Sequence, residues 1–495
     1  NGIFDSTAVF FAAMKRRREM KTKIEKFFKI KENNSSIQTE IFSGLTAFFT
    51  MVYLLFLVPN TIMGAFPEAF NEAGEMVGSY VLNNGLTADE MLVSLTIAAC
   101  VAAAISTLIT ALKTGLPFAQ GPSLAIATFI TYTVCGEMGY TYEQALAAVF
   151  ISGIVFFILT MFGLEHKIRK AIPHNIKYAV TAGIGLFIAF MGMQKCHMVV
   201  ADSHHLVKFV NFAGFSDYNT MSTLLCLAGL VLIAVMHYKH IHGAILIGKI
   251  IVILAAIPLG LYHHGEINLF AYDFDVIIPT AFKMDFAGLF TRGGDFSLGA
   301  GLIITASIVV TLCIMNVFET MSTVIATDHI LDHRVHHEET NEKIKKTLEA
   351  DAIGTVVGAS MGVTTVSTFV ESTAMAVEGG RTGFSGVITS LLFILAIFIA
   401  PFASVIPSAA TATTLIITGV FMMTVVKQIN FHDVEEALPA FFTMAFIPLT
   451  YSLVNGIFLG LVTHTFINVF SGRWAKVKKG TYIMTALFVL MFVIM

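Results

Sequence analysis

Glu319 and Glu371 are carboxylates set inside apolar runs, "LCIMNVFETMSTVIATDH" (312–329) and "TTVSTFVESTAMAVEGGRTG" (364–383). Arg381 marks a membrane surface at the end of the second run, and Glu371 precedes it by ten residues. That is about 15 Å of helix, half of a hydrocarbon core about 30 Å thick. Glu319 precedes Asp328 by nine residues, about 14 Å on the same rise. Both acids therefore fall near the midplane, where an ionisable residue costs roughly 3 kcal/mol or more and points to function. Two chemistries are open to a carboxylate there: accepting hydrogen bonds from a ligand's N–H groups as an anion, or taking up and releasing a proton. Glu371 is expected at the start of a half-helix, whose unpaired first amides and dipole favour an anion. It is read as the ionised acceptor for a neutral ligand. Glu319 lies inside a continuous helix without that support and is read as the group that protonates reversibly. The competing reading makes both acids packing residues satisfied by Thr320, Ser322, Thr365 and Ser367.

Other polar residues carry weaker signals. Glu378 and Arg381 lie at the cytoplasmic end of their segment and read as a surface pair. Lys249 is seven residues from His242, close enough for its ammonium to snorkel to the cytoplasmic face. "DHILDHRVHHEETNEKIKK" (328–346) places His329, His333 and His337 four residues apart, beside Asp328 and Asp332. A zinc site can use such a face, but a solvated loop explains it as well, and no metal is expected. The five cysteines are scattered, odd in number and lack a metal-like spacing. No His or Cys lies near Glu319 or Glu371 in sequence, so no nucleophile–base set marks an enzyme, and no cofactor is expected.

The elements that position these groups follow from composition. The 495 residues are 56% hydrophobic and 13% charged, with a mean hydropathy of +0.78. A soluble chain carries about 25% charged residues. The shortage places most of the chain in lipid, and a net charge of −3 gives no basic surface for nucleic acid. Fourteen spans are expected, near 41–63, 92–112, 117–135, 144–164, 174–194, 221–237, 242–262, 298–326, 349–362, 364–380, 383–406, 410–427, 436–450 and 453–472. The run 481–495 is too short to span comfortably and is expected at the interface. The block Lys15–Lys31 holds nine Lys/Arg and orients the N-terminus to the cytoplasm. On that reading only Lys195, Lys208, Lys283 and Arg292 fall outside and Lys249 lies within a span, leaving 25 of 30 Lys/Arg cytoplasmic. Both termini are then cytoplasmic. Met14 or Met20 reads as the natural start, with residues 1–13 an upstream extension.

The spans divide at the polar, extracellular loop 263–297 into seven and seven. The expected layout is a basic N-terminus (1–40), a first repeat (41–262), that loop, a second repeat (298–472) and a cytoplasmic or interfacial C-terminus (473–495). Seven is odd, so the second repeat is inverted, an arrangement typical of transporters, whose sites lie where broken segments meet. The third span of each half is irregular. "GLPFAQGPSLAIATFITYTV" (115–134) is broken by Pro117 and Gly121-Pro122, and "GVTTVSTFVESTAMAVEGG" (362–380) is β-branched early and helix-compatible later. Each reads as a short extended piece followed by a half-helix. The fold class is therefore an all-α polytopic membrane protein of two inverted seven-span repeats, with spans 3 and 10 broken. Two acids at one depth are hard to explain by packing.

The chain resembles the nucleobase/ascorbate transporter family (nucleobase:cation symporter-2), and within it the azaguanine-type purine permeases. The likeness runs from Phe27 to Trp474. "TTVSTFVESTAMAVEGGRTG" (364–383) is similar to the tenth-span signature of that subfamily. "TEIFSGLTAFFTMVYLLFLVP" (39–59) resembles its first span and "IPHNIKYAVTAGIGLFIAFMG" (172–192) its fifth. The resemblance implies a core domain of spans 1–4 and 8–11, a gate domain of spans 5–7 and 12–14, and substrate held between the half-helices of spans 3 and 10. It implies proton coupling, alternating access, a homodimer as in many members, and a plasma (cell inner) membrane location. The family's acids carry over to Glu319, also the proton-coupling residue, and to Glu371. The implied substrate-binding set adds Thr323, Ser123, Leu124, Val370, Ser372 and Thr50. The coupling ion is expected to be H+, and the substrate a purine base (hypoxanthine, guanine or adenine).

The chain also departs from the pattern. The third-span motif of the subfamily, Ala-Pro-Gly-Met-Gly-Leu-Asn, reads here "GPSLAIA" (121–127), with Ser123, Ala125 and Ala127 in place of two glycines and the asparagine. Glu319-Thr320-Met321-Ser322 stands where Asp-Thr-Thr-Gly is usual. A longer acid opposite a less polar third span is expected to reshape the pocket. A uracil or xanthine symporter, an anion transporter of related fold and a channel remain as alternatives. Two midplane acids repel an anion unless protonated, and a channel needs a polar stripe along several spans, whereas the polar residues concentrate at one depth.

Overall fold

The computed structural model describes residues 19, 21–69, 80–82, 85–163, 172–202, 205–212, 217–239, 241, 244–261, 280–291, 298–330, 337–398 and 407–494. Local sequence explains where the helices begin. Ser36 caps α1 (Ile37–Met51) by accepting from the Thr39 amide. After a turn at 52–53 the chain continues as α2 (Leu54–Ile62). Thr87 and Glu90 form a capping box at the start of α3 (Ala88–Thr114), which stops at Gly115 in the left-handed region (φ 66°). Leu124–Thr128 forms α4, continued by a π-helix over Phe129–Glu137. Thr141 and Gln144 repeat the box at α5 (Tyr142–Met161). Each box satisfies amides that would otherwise be orphaned at a helix start.

The chain then runs through α6 (His174–Lys195), α7 (Tyr218–Tyr238), α8 (Ala244–Ala256), α9 (Phe286–Thr291), α10 (Leu298–Ile330) and α11 (His337–Met361). It ends with α12 (Thr373–Val377), α13 (Gly383–Ala396), α14 (Ser408–Met422), α15 (Val434–Leu449), α16 (Leu453–Phe470) and α17 (Lys479–Ile494). Among the described residues eight helical stretches are long and apolar enough to cross a membrane, and 124–137, 247–256 and 383–396 are shorter apolar helices. The protein is a mostly helical, polytopic membrane protein. Of the run expected at the interface, 481–495, residues 481–494 lie in α17, which packs on α16.

All-α needs a correction. Among the described residues four strands make two small antiparallel sheets. β1 (Gln120–Pro122) pairs with β4 (Val366–Thr368), and β2 (Val199–Ala201) pairs with β3 (Val207–Phe209). The second sheet was not foreseen. Its Val199, Val200 and Val207 suit a strand, but three residues each are too few to show a period.

Helix contacts are densest within two sets. In one, α1, α3, α5, α10, α11 and α13 enclose the β1–β4 sheet; in the other, α6, α7, α8, α14, α15 and α16 pack together. The apolar core crosses between them, since one cluster joins Ile130 and Phe318 to Ile184 and Ile457. At one end the Lys113 ammonium pairs with Glu349 at 2.7 Å, tying α3 to α11. At Thr280, in the expected loop 263–297, the hydroxyl meets that of Ser94 at 3.2 Å and donates to the Met361 carbonyl at 3.2 Å. Lys167, Arg169, Lys170, Arg334 and most of that loop lie outside the described residues.

Candidate functional site

The site is built on the β1–β4 ladder. Gln120 faces Thr368, Gly121 faces Ser367 and Pro122 faces Val366. The chain flanking this pair continues the pairing: the Ser123 amide donates to the Thr365 carbonyl (2.9 Å) and the Phe369 amide to the Ala119 carbonyl (3.2 Å). Gly121 lets the strand approach Phe369, whose ring lies 3.0 Å from where a β-carbon would stand. Because the strands are antiparallel, the helices that follow them leave in opposite directions. α4 starts after β1, capped by Ser123, which accepts from the Ile126 amide at 3.2 Å. After β4 come a 3-10 turn, Val370–Ser372, and then α12. Ser372 closes the junction: its hydroxyl donates to the Ala119 carbonyl (2.9 Å) and accepts from the Ala119 amide (3.0 Å).

Both acids reach this junction. Glu319, on α10, accepts from Ser123 Oγ on one oxygen and from Ser367 Oγ on the other, each at 3.0 Å. One carboxylate thus bonds both broken segments. Glu319 stands inside a continuous helix, as expected, and two hydroxyls hold it. Of the hydroxyls considered as packing partners only Ser367 bonds it. Thr320 turns to Asp351, Thr365 Oγ1 has no hydrogen-bond partner among the described residues, and the Ser322 side chain lies outside them. Glu371 lies in the 3-10 turn, 4% exposed, and accepts from the Tyr53 hydroxyl at 2.9 Å. A carboxylate has about four lone-pair sites, so this acid keeps acceptor capacity.

The remaining candidates are placed as follows. Thr323 donates to the Thr368 carbonyl at 2.9 Å and pins α10 to β4. Leu124 is buried in the first turn of α4. Val370 contributes backbone to the 3-10 turn, its side chain lying outside the described residues. Thr50 is not brought to the acids by any hydrogen bond; its hydroxyl donates to the carbonyls of Thr46 and Ala47 within its own helix (3.0 and 2.9 Å). For the zinc alternative, the side chains of Asp328, His329, Asp332, His333 and His337 lie outside the described residues.

The family model described as "Permease family" (xanthine/uracil permease) matches residues 38–459. This chain belongs to the xanthine/uracil permease family. A protein of Methanocaldococcus jannaschii whose name goes no further than permease is 35% identical over 95% of this chain and 98% of its own. The guanine/hypoxanthine permease PbuO of Bacillus subtilis is 30% identical over 93% of this chain and 98% of its own. The adenine permease AdeQ of Escherichia coli is 28% identical over 94% and 95%. Among solved structures, the transmembrane domain of the cyanobacterial bicarbonate transporter BicA superposes with a TM-score of 0.50 at 17% identity, covering 86% of this chain and 97% of that domain. That likeness concerns the fold alone.

Three buried polar residues of this permease were not read from its sequence. Asp351, on α11, accepts from Thr368 Oγ1 at 2.6 Å and from Gln120 Nε2 and Thr320 Oγ1. It thus clamps both strands and α10. It stands near the start of the expected span 349–362; α11 begins at His337, which sets Asp351 well inside. Glu40, fully buried, accepts from the amides of Arg381 (2.9 Å) and Ser385 (3.3 Å) and caps the start of α13. Tyr53 was passed over as one more aromatic in an apolar run.

Lys249 is a correction. It does not snorkel. It is 4% exposed, its ammonium has no hydrogen-bond partner among the described residues, and it sits 5.5 Å from the centre of the Tyr53 ring. The reason is packing: α8 lies against α7 and α14 and also meets α1, which turns this residue inward. His242, from which the snorkelling distance was reckoned, lies outside the described residues.

Proposed function

We propose that this permease imports purine nucleobases by proton symport with alternating access. The observation that carries the reading is Glu371. It is a buried carboxylate in the turn that opens a half-helix, with Tyr53 its one side-chain donor among the described residues. A purine base is planar and neutral, with N–H groups along its edges, and a carboxylate accepts such bonds with charge assistance. The printed names of the relatives, adenine and guanine/hypoxanthine permease, support purines as the class.

Glu319 is the proton site in this proposal. A proton there removes a costly charge before the loaded site moves, and one charge crossing the membrane potential supplies about 2.3 kcal/mol per 100 mV. Ser123, Leu124, Val370, Ser372 and Thr323 shape the pocket, and Thr50 takes a structural part. Residues 41–262 and 298–472 form two inverted seven-span repeats, fourteen spans in all. The dense contacts within the two helix sets support a core that carries the acids and a gate that moves against it. The protein is assigned to the cell's inner membrane with cytoplasmic termini, and a homodimer is the proposed assembly.

The test is uptake of labelled hypoxanthine by cells making the permease, with unlabelled adenine, guanine, xanthine and uracil as competitors and a protonophore as control. Purine competition and collapse of uptake with the protonophore are expected. Competition by uracil alone overturns the purine class, and uptake indifferent to the protonophore overturns proton coupling.

A further inference from the structure

We infer that Lys249 donates a hydrogen bond to a carbonyl oxygen of the transported base, so that the site selects oxopurines over adenine. The inference rests on the purine reading above and names the subclass. A buried ammonium without a hydrogen-bond partner is costly, and the face of Tyr53 offers it a cation–π contact that answers part of that cost. Among the described residues none takes a hydrogen bond from the Lys249 ammonium, which leaves its three N–H donors for a ligand. Tyr53 marks where such a ligand would sit. Its ring carries the ammonium, and its hydroxyl is committed to Glu371 at 2.9 Å. One residue thus brings a charged donor and a charged acceptor to the same neighbourhood.

The two come from opposite sides. Lys249 is on α8, in the second helix set, and Tyr53 sits between α1 and α2, in the first. A ligand bonded to both closes one set on the other. The lactam edge of an oxopurine fits the pair: its ring N–H meets Glu371 while the adjoining carbonyl oxygen meets Lys249, both bonds charge-assisted. Adenine has no carbonyl oxygen. A site built to bond a polar substrate atom rejects the analogue that lacks it, because its own buried group is left unpaired.

The experiment is competition binding to the purified permease in nanodiscs, with hypoxanthine, adenine and unsubstituted purine, on the wild type, Lys249→Met and Lys249→Arg. Wild-type protein should bind hypoxanthine about tenfold or more tighter than unsubstituted purine. Lys249→Met should lower hypoxanthine affinity by about that factor while adenine changes by less than about threefold, and Lys249→Arg should retain part of the preference. Equal losses for all three bases, or no change, overturn the inference while base binding and the purine reading stand. A wild type that binds purine as tightly as hypoxanthine overturns it without any variant, so the decision does not depend on Lys249→Met folding. A wild type that binds no base overturns both readings.

Discussion

Glu319 and Glu371 look alike in sequence, each an acid midway along an apolar run, yet the fold treats them differently. Glu319 has both oxygens occupied, by Ser123 from one broken segment and Ser367 from the other. Glu371 accepts one side-chain bond, from Tyr53. An acid whose oxygens are already bonded across two strands is suited to hold those strands and to respond when a proton removes an acceptor. An acid with spare lone pairs is suited to a ligand. The contrast also gives a reason for two departures from the family pattern. Serine at 123, where glycine is usual, supplies one of the hydroxyls that the longer acid at 319 accepts.

The comparison breaks most sharply at Glu371. Glu371→Gln keeps the shape and removes the charge. Losing two charge-assisted bonds should lower uptake by roughly 100-fold while the protein reaches the membrane at wild-type levels. Near-normal affinity for the best substrate would make Glu371 a packing residue. Asp351→Ala probes the frame beneath both acids. It leaves the donors of Gln120, Thr320 and Thr368 unpaired and should cost on the order of 3 kcal/mol. Thermal unfolding in detergent reads this, and a melt superimposable on the wild type denies the clamp. Glu319→Gln should flatten the dependence of uptake on external pH while base affinity falls by less than about tenfold. A wild-type pH profile removes Glu319 from proton coupling. The smallest change is Ser123→Gly, which removes one donor to Glu319. A glycine cap costs only a few tenths of a kcal/mol, so uptake should fall by about fivefold or less, chiefly through the lost hydroxyl bond. A loss as large as that of Glu371→Gln would mean that the two acids are not distinct in role.

Legibility followed the range of the interactions. The depth of both acids came from counting residues along helices, and the breaks at Pro117 and Pro122 from a missing amide and a fixed φ; these are local. The antiparallel partnership of Gln120–Pro122 with Val366–Thr368 joins segments far apart in the chain, and nothing in either announces the other. Asp351 and Glu40 stand near expected span ends, where nothing in the local sequence marks an acid as buried. Only the observed helix starts and the packing of α11 and α13 bury them.

The sequence alone determined that the chain is a polytopic membrane protein and that two carboxylates stand inside apolar runs. These follow from hydrophobicity and helix rise, which act residue by residue. Only the tertiary structure decided which hydroxyls hold which acid, that Asp351 joins the two strands, and that Lys249 turns inward onto Tyr53 rather than toward the surface. Burial and hydrogen-bond partnership belong to pairs of segments brought together by packing, and no single segment carries that information.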